Sequence, residues 1–146
     1  MSDEELPDET PEEPPAPTSD LASARTALAT LLNSIEGVRA VTEIPKTFTP
    51  PIVWIAAGLP YRQRAQAIGR KRINLVAVCL GGMSTNDASL AATEELAELV
   101  ADKVDTSTVF ALDPTAEMDQ PRLYPSAQNQ EMLGIAVNIM CESTRG

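Results

Sequence analysis

Four carboxylates, Glu94, Glu95, Glu98 and Asp102, stand at the spacing of one helix side and are the nearest this sequence comes to a metal-ligand set. With no other ligand type near them, they read as a solvated acidic face. Gly81-Gly82, followed by Ser84, Thr85, Asn86 and Asp87, is a glycine turn opening a helix, a place where phosphates are cradled in other proteins. It has neither GxGxxG nor the lysine of a phosphate loop, so it reads as a turn and an N-cap. Lys46, Lys71 and Lys103 lie in no serine–lysine pattern. The chain has no histidine, which removes Ser–His and Cys–His pairs, imidazole metal sites and the commonest general base. These residues point away from an enzyme, and no cofactor or metal is expected.

The sequence does segregate charge. Residues 61–72, YRQRAQAIGRKR, gather five of the 11 basic residues, Arg62, Arg64, Arg70, Lys71 and Arg72, with no carboxylate among them. Between two strands this length predicts a projecting hairpin with Gly69 near its turn. It is either a solvated loop or a contact surface for acidic protein or nucleic acid. If copies pack head to tail, this cationic loop would meet the acidic helix side of a neighbour. The candidate assembly interface is therefore Arg62, Arg64, Arg70, Lys71 and Arg72 against Glu95, Glu98 and Asp102.

The elements that carry these residues follow from periodicity. Ile73–Leu80, INLVAVCL, is apolar and β-branched enough to lie inside a sheet. After the glycine turn the period lengthens to a helix, with Ala92, Leu96, Leu99 and Val100 as its expected apolar stripe. Thr18, Ser19 and Asp20 offer caps for an earlier helix reaching about Glu36, striped by Leu21, Ala24, Leu28, Leu31, Leu32 and Ile35. Gly37 follows where a left-handed residue is wanted. Val38–Ile44 reads as an edge strand, and Pro45, Pro50 and Pro51 as a crossing loop. Ile52–Ala57 is a central strand ended by Gly58-Leu59-Pro60. It carries the only tryptophan, Trp54, read as core packing with an interface anchor as the alternative. Thr108–Leu112 is a short strand, 113–121 a loop, and Arg122–Tyr124 a brief extended piece. Leu133, Ile135, Val137, Ile139 and Cys141 alternate as the inward side of a final strand. The expected fold is α+β: a mixed, mainly antiparallel sheet with two helices packed on one face.

Residues 1–17 are set apart by composition. They hold seven of the chain's 21 carboxylates, five prolines and no Lys or Arg. Such a stretch has no means of building a core and is expected to be a disordered acidic, Pro-rich tail, a spacer or a docking arm for a basic partner. The net charge of −10 thus falls to −3 over the remainder, 14 acids against 11 bases. Residues 18–146 are expected to form a single domain. Cys79 and Cys141 fall in apolar strands and read as small buried hydrophobes, with a disulfide between two sheet strands as the lesser alternative, since nothing marks secretion. No leader pattern opens the chain and no apolar run approaches the length of a membrane span. The expectation is a soluble protein kept inside a cell, with no membrane partner.

In layout, about residues 20–142 resemble the tail terminator (tail-completion) proteins of long, flexible-tailed bacteriophages. The likeness lies in a capped helix running into SIEGVRAVTEIP, a Pro-Pro lead into the second strand in TPPIVWIAAG, a basic loop before RINLVAVCLGG, the helix STNDASLAATEELAELV, and a closing strand LGIAVNIMCE. These are scaffold patterns, and the acidic tail departs from them. The resemblance implies a structural virion protein, assembled in the host cytoplasm. It would form a ring, typically of six copies, on the finished tail tube at the tail–neck junction. Its partners would be itself, the tail tube protein and the head's neck connector protein, with DNA in the lumen as a passive contact. Three other readings stand beside it: another head–tail connector or tail-tube component, a cytoplasmic adaptor that binds a partner protein, and an independent nucleic-acid binder, against which the net −3 outside the tail argues.

Overall fold

The computed structural model describes residues 20–43, 51–64, 70–82, 86–125 and 131–143. The expected tail at 1–17, Ser84 and Thr85, and the hairpin tip around Gly69 lie outside them. In order, the elements are α1 (Asp20–Asn33), β1 (Arg39–Val41), β2 (Ile52–Arg64), β3 (Lys71–Gly82), α2 (Asp87–Asp105), β4 (Ala111–Leu112), β5 (Arg122–Pro125) and β6 (Glu131–Ser143). The sheet runs β1-β2-β3-β6-β4, with β5 also on β6. All pairings are antiparallel except β1 with β2. This is the α+β plan that the periodicity predicts, a mainly antiparallel mixed sheet with two helices. The long strands β2, β3 and β6 form its centre.

Both helices lie on one sheet face because one apolar set demands it. Leu28 and Leu32 of α1 and Leu96, Val100 and Val104 of α2 pack on Val53, Ile55, Leu75, Cys79, Val137 and Ile139 of the three long strands. Leu28, Leu32, Val100 and Val104 are fully buried, each worth roughly 1.5–3 kcal/mol of transfer free energy. The stripe expected for α2 is displaced. Ala92 and Leu99 are exposed, and the buried seam is Thr93, Leu96, Ala97, Val100, Ala101 and Val104. The cause is close packing on small residues. A Cβ on Gly81 would come within 2.5 Å of the Thr93 backbone, so only glycine lets β3 and α2 approach this far. The Thr93 hydroxyl, at the buried contact, donates to the Ser89 carbonyl at 2.7 Å.

Local chemistry sets the ends. The Asn86 side chain accepts from the Ser89 N–H at 2.8 Å and caps α2, as its position in the sequence predicts. The first helix stops at Asn33, three residues short of the expected Glu36. From there Asn33 turns its amide onto β1, donating to the Ala40 carbonyl and accepting from its N–H. Gly37 has φ of 82°, the left-handed residue expected after the helix. Of the edge strand expected over Val38–Ile44, Arg39–Val41 pair with Ile52–Trp54 and Val38, Thr42 and Glu43 do not, while Ile44, with Pro45 and Pro50 of the expected crossing loop, lies outside the described residues.

On the far side of the sheet Trp54, Val41, Val76 and Tyr124 pack around Ile52, Val78, Leu80 and Met132. Trp54 is partly buried there, on the face opposite the helices. The segment expected as a loop at 113–121 runs along β6. Asp113 N–H donates to the Asn138 carbonyl, Asn138 N–H to the Glu117 carbonyl and Asp119 N–H to the Ala136 carbonyl, all at 2.9 Å. Thr108 and Val109 stay outside the sheet, so the short strand is only Ala111–Leu112.

Candidate assembly interface

The cationic residues stand at one end of the β2–β3 hairpin, and the strand that carries them is longer than the sequence suggests. Gly58-Leu59-Pro60 does not end β2. Pairing breaks after Ala57 and resumes at Arg62 opposite Ile73, Gln63 opposite Arg72 and Arg64 opposite Lys71. The breaker residues form a bulge within a continuous strand. Gly58 presses on Asn74 so closely that a Cβ would lie 2.7 Å from the Asn74 carbonyl oxygen. The Asn74 amide donates to the Pro60 carbonyl and to Gln63 Oε1, both at 2.8 Å, and so holds the bulge. Leu59, next to the cis bond to Pro60, is 100% exposed.

Directly opposite residues of a sheet share a face. Arg62, Arg64 and Lys71 therefore lie on the side that bears the helices, with Arg64 and Lys71 paired as like charges. None of the three makes an ion pair among the described residues. Arg70 and Arg72 differ, since the chain itself matches both. Arg70 Nη1 lies 3.0 Å from Glu142 Oε1, with both side chains half exposed, a pairing of small worth in water. Arg72 is better placed. Its Nη2 is 3.0 Å from Asp113 Oδ2, and its Nε donates to Asn74 Oδ1 at 2.7 Å. The Thr115 N–H and hydroxyl both donate to Asp113 Oδ1. These bonds, with the nearby guanidinium, hold the Asp113 carboxyl below its ordinary range. Arg64, Arg70 and Arg72 border a cleft of about 820 Å³ that opens beside Glu142 and Val109.

Glu94, Glu95, Glu98 and Asp102 are all exposed on α2, as expected of a solvated face, and none is ion-paired among the described residues. Within one chain the helix carboxylates and the hairpin cations thus remain separate. The sequence reading missed a second feature of this helix side. Between α2 and the turn after α1 lies an apolar cleft of about 470 Å³, lined by Gly37, Val38, Pro51, Ala92 and Leu99, with Glu36 and Glu95 at its rim. Leu59, on the bulge, was missed as well. The available signal was an aliphatic residue held between a glycine and a proline, where a polar one is usual.

Among the described residues no group of three or more Cys, Asp or Glu is placed to hold a metal ion. Both cysteines are buried and free, and burial pushes the Cys79 thiol far up. No described helix is long and apolar enough to cross a membrane. Compared with known proteins, the chain matches no protein-family model, and no curated protein is detectably similar to it in sequence.

Proposed function

We propose that this chain is a structural protein of a long-tailed phage, a tail terminator whose copies form a ring, six in number, on the end of the tail tube. The ring stops tube growth and offers its outer surface to the neck connector, so the protein resides in the virion at the tail–neck junction. It works by shape and assembly, without turnover. The resemblance in element order supplies the family. The observation that carries the reading is the division of charge within one copy. Among the described residues, Arg62, Arg64 and Lys71 on the hairpin and Glu95, Glu98 and Asp102 on α2 make no ion pair. Two charge sets that the described residues leave unpaired give a copy two surfaces suited to a neighbour.

The deciding measurement is solution mass by light scattering over a concentration series, with and without purified tail tubes. A species near six copies, alone or on the tube ends, supports the reading. A chain that stays monomeric and leaves tubes uncapped overturns it. Removing residues 1–17 should leave ring formation intact. Loss of all partner binding on that deletion would point to an adaptor instead.

A further inference from the structure

We infer that neighbouring copies join by seating Leu59 of one chain in the apolar cleft between α2 and the turn after α1 of the next. This rests on the reading that copies assemble, and it names the contact. Leu59 is an aliphatic side chain wholly in water, carried on a bulge that Gly58 and the Asn74 amide hold against the sheet. A fixed, fully exposed leucine is a knob that gains free energy when a neighbour takes it out of water. The cleft is its counterpart: a largely apolar concavity lined by Val38 and Pro51 on one side and by Ala92, Leu96 and Leu99 of α2 on the other. Leu99 is 43% exposed there, although it belongs to a helix with a well-filled seam.

Two further facts select a second copy as the occupant. Charge is complementary, since Arg62 and Arg64 follow the knob along β2, and Glu36 and Glu95 edge the cleft, with Glu98 one turn beyond. Position forbids self-filling. Pro51 at the cleft immediately precedes β2, whereas Leu59 lies eight residues along the chain, about 25 Å at strand rise. Knob and hole are different patches of one chain, the cleft beside the start of β2 and the knob on the bulge in its middle, so copies can join head to tail in a heterologous contact, which closes into a ring when the rotation allows.

The test uses the full chain with Leu59→Cys and Leu99→Cys variants, the native thiols being buried. Mixed under a mild disulfide oxidant, the two single variants should give a covalent dimer that neither gives alone. The double variant should give a ladder ending at the ring number. Leu59→Asp, at a position where folding makes no demand on the side chain, should weaken self-association by at least about 30-fold while its melting curve stays unchanged. A ring that persists in Leu59→Asp, with no cross-link in the mixture, overturns the knob contact and leaves the ring reading standing. A ladder that stops at two shows a reciprocal pair and overturns the head-to-tail arrangement. A wild-type chain that never self-associates, even on tubes, overturns both.

Discussion

Arg72 reaches from the third strand to Asp113 beside β6, Nη2 to Oδ2 at 3.0 Å, and so ties the cationic hairpin to the irregular edge of its own sheet. The same guanidinium bonds Asn74, which bonds the Pro60 carbonyl in the bulge. One chain of polar contacts thus runs from the Thr115 turn to the base of the Leu59 knob. A residue expected at the contact with a neighbouring molecule is thus, within its own chain, part of the support that fixes the knob's position.

This support should be sensitive to acid. With Asp113 held below its ordinary range, the folded chain keeps the carboxylate charged where the unfolded chain takes up a proton. The contribution is complete above the ordinary aspartate value and is lost as pH falls through the lowered one. Asp113→Asn should cost roughly 1–2 kcal/mol at neutral pH. That gap from wild type should hold steady down to about pH 5 and close below about pH 4. Urea titrations across this range measure it; a gap independent of pH would remove the charge from the account.

The core shows what periodicity carries and where it fails. Leu28→Ala should destabilise by about 2–5 kcal/mol, because Leu28 is fully buried among α1, the sheet and α2. Leu99→Ala should change the stability of the dilute chain by no more than about 0.5 kcal/mol. The two leucines look alike as members of apolar stripes. Denaturant midpoints at low protein concentration distinguish them.

That difference marks the limit of legibility. For α1 the large residues fall on one side and the sheet takes that side, so the stripe is readable. For α2 the side nearest the sheet is chosen by the small residues Thr93, Ala97 and Ala101, which let the helix come close. Leu99 is two positions from both alanines, about 200° round the helix, and is left outside. Gly58-Leu59-Pro60 is a breaker by composition, yet β3 continues alongside and Arg62 resumes the pairing. A strand end and a bulge differ only in whether pairing starts again beyond the breaker, which its own residues do not tell. Of the candidate interface, the residue types and their segregation could be read in advance. The internal partners of Arg70 and Arg72 could not, because Glu142 and Asp113 are 72 and 41 residues away in the chain.

Gly81→Ala should cost about 1–3 kcal/mol, since the new methyl group would meet the Thr93 backbone, which has no side-chain freedom to yield. The neighbouring seam is too closely packed to absorb it. A parallel Gly37→Ala should also destabilise, by roughly 1 kcal/mol, through its left-handed φ alone, because a Cβ there meets nothing. Thr93→Ser should not rescue Gly81→Ala, as serine keeps both the main chain and the hydroxyl oxygen that the new methyl group meets.

Thiol reagents should find both cysteines slowly. Cys79 is fully buried with its thiol pushed far up, and Cys141 is nearly so with its thiol also raised by burial. Raising the pH from 7 to 9 should therefore speed labelling of the native chain far less than of the unfolded chain, where the thiols titrate normally. The unfolded state gains from ionisation that the folded state resists, so stability should fall as pH rises above about 8.5. Labelling followed by mass spectrometry reports the first effect and urea midpoints the second; rapid modification of Cys79 in the native chain would contradict its placement.

The charges on the hairpin should separate into two classes when reversed. Arg70→Glu sets a like charge against Glu142, a half-exposed partner, and should cost the isolated chain no more than about 1 kcal/mol with little effect on assembly. Arg62→Glu with Arg64→Glu removes cations that make no ion pair among the described residues, and even relieves the like-charge pairing of Arg64 with Lys71. Chain stability should hold while self-association weakens by an order of magnitude or more. Adding Glu95→Lys and Glu98→Lys to the reversed hairpin should restore assembly, whereas those helix changes alone should impair it. The wild-type association should also weaken between about 0.1 and 1 M salt, as the screening length falls from about 10 to about 3 Å. Sedimentation across this set provides the comparison. Assembly indifferent to both reversals and to salt would leave the interface to the apolar contact of Leu59 alone.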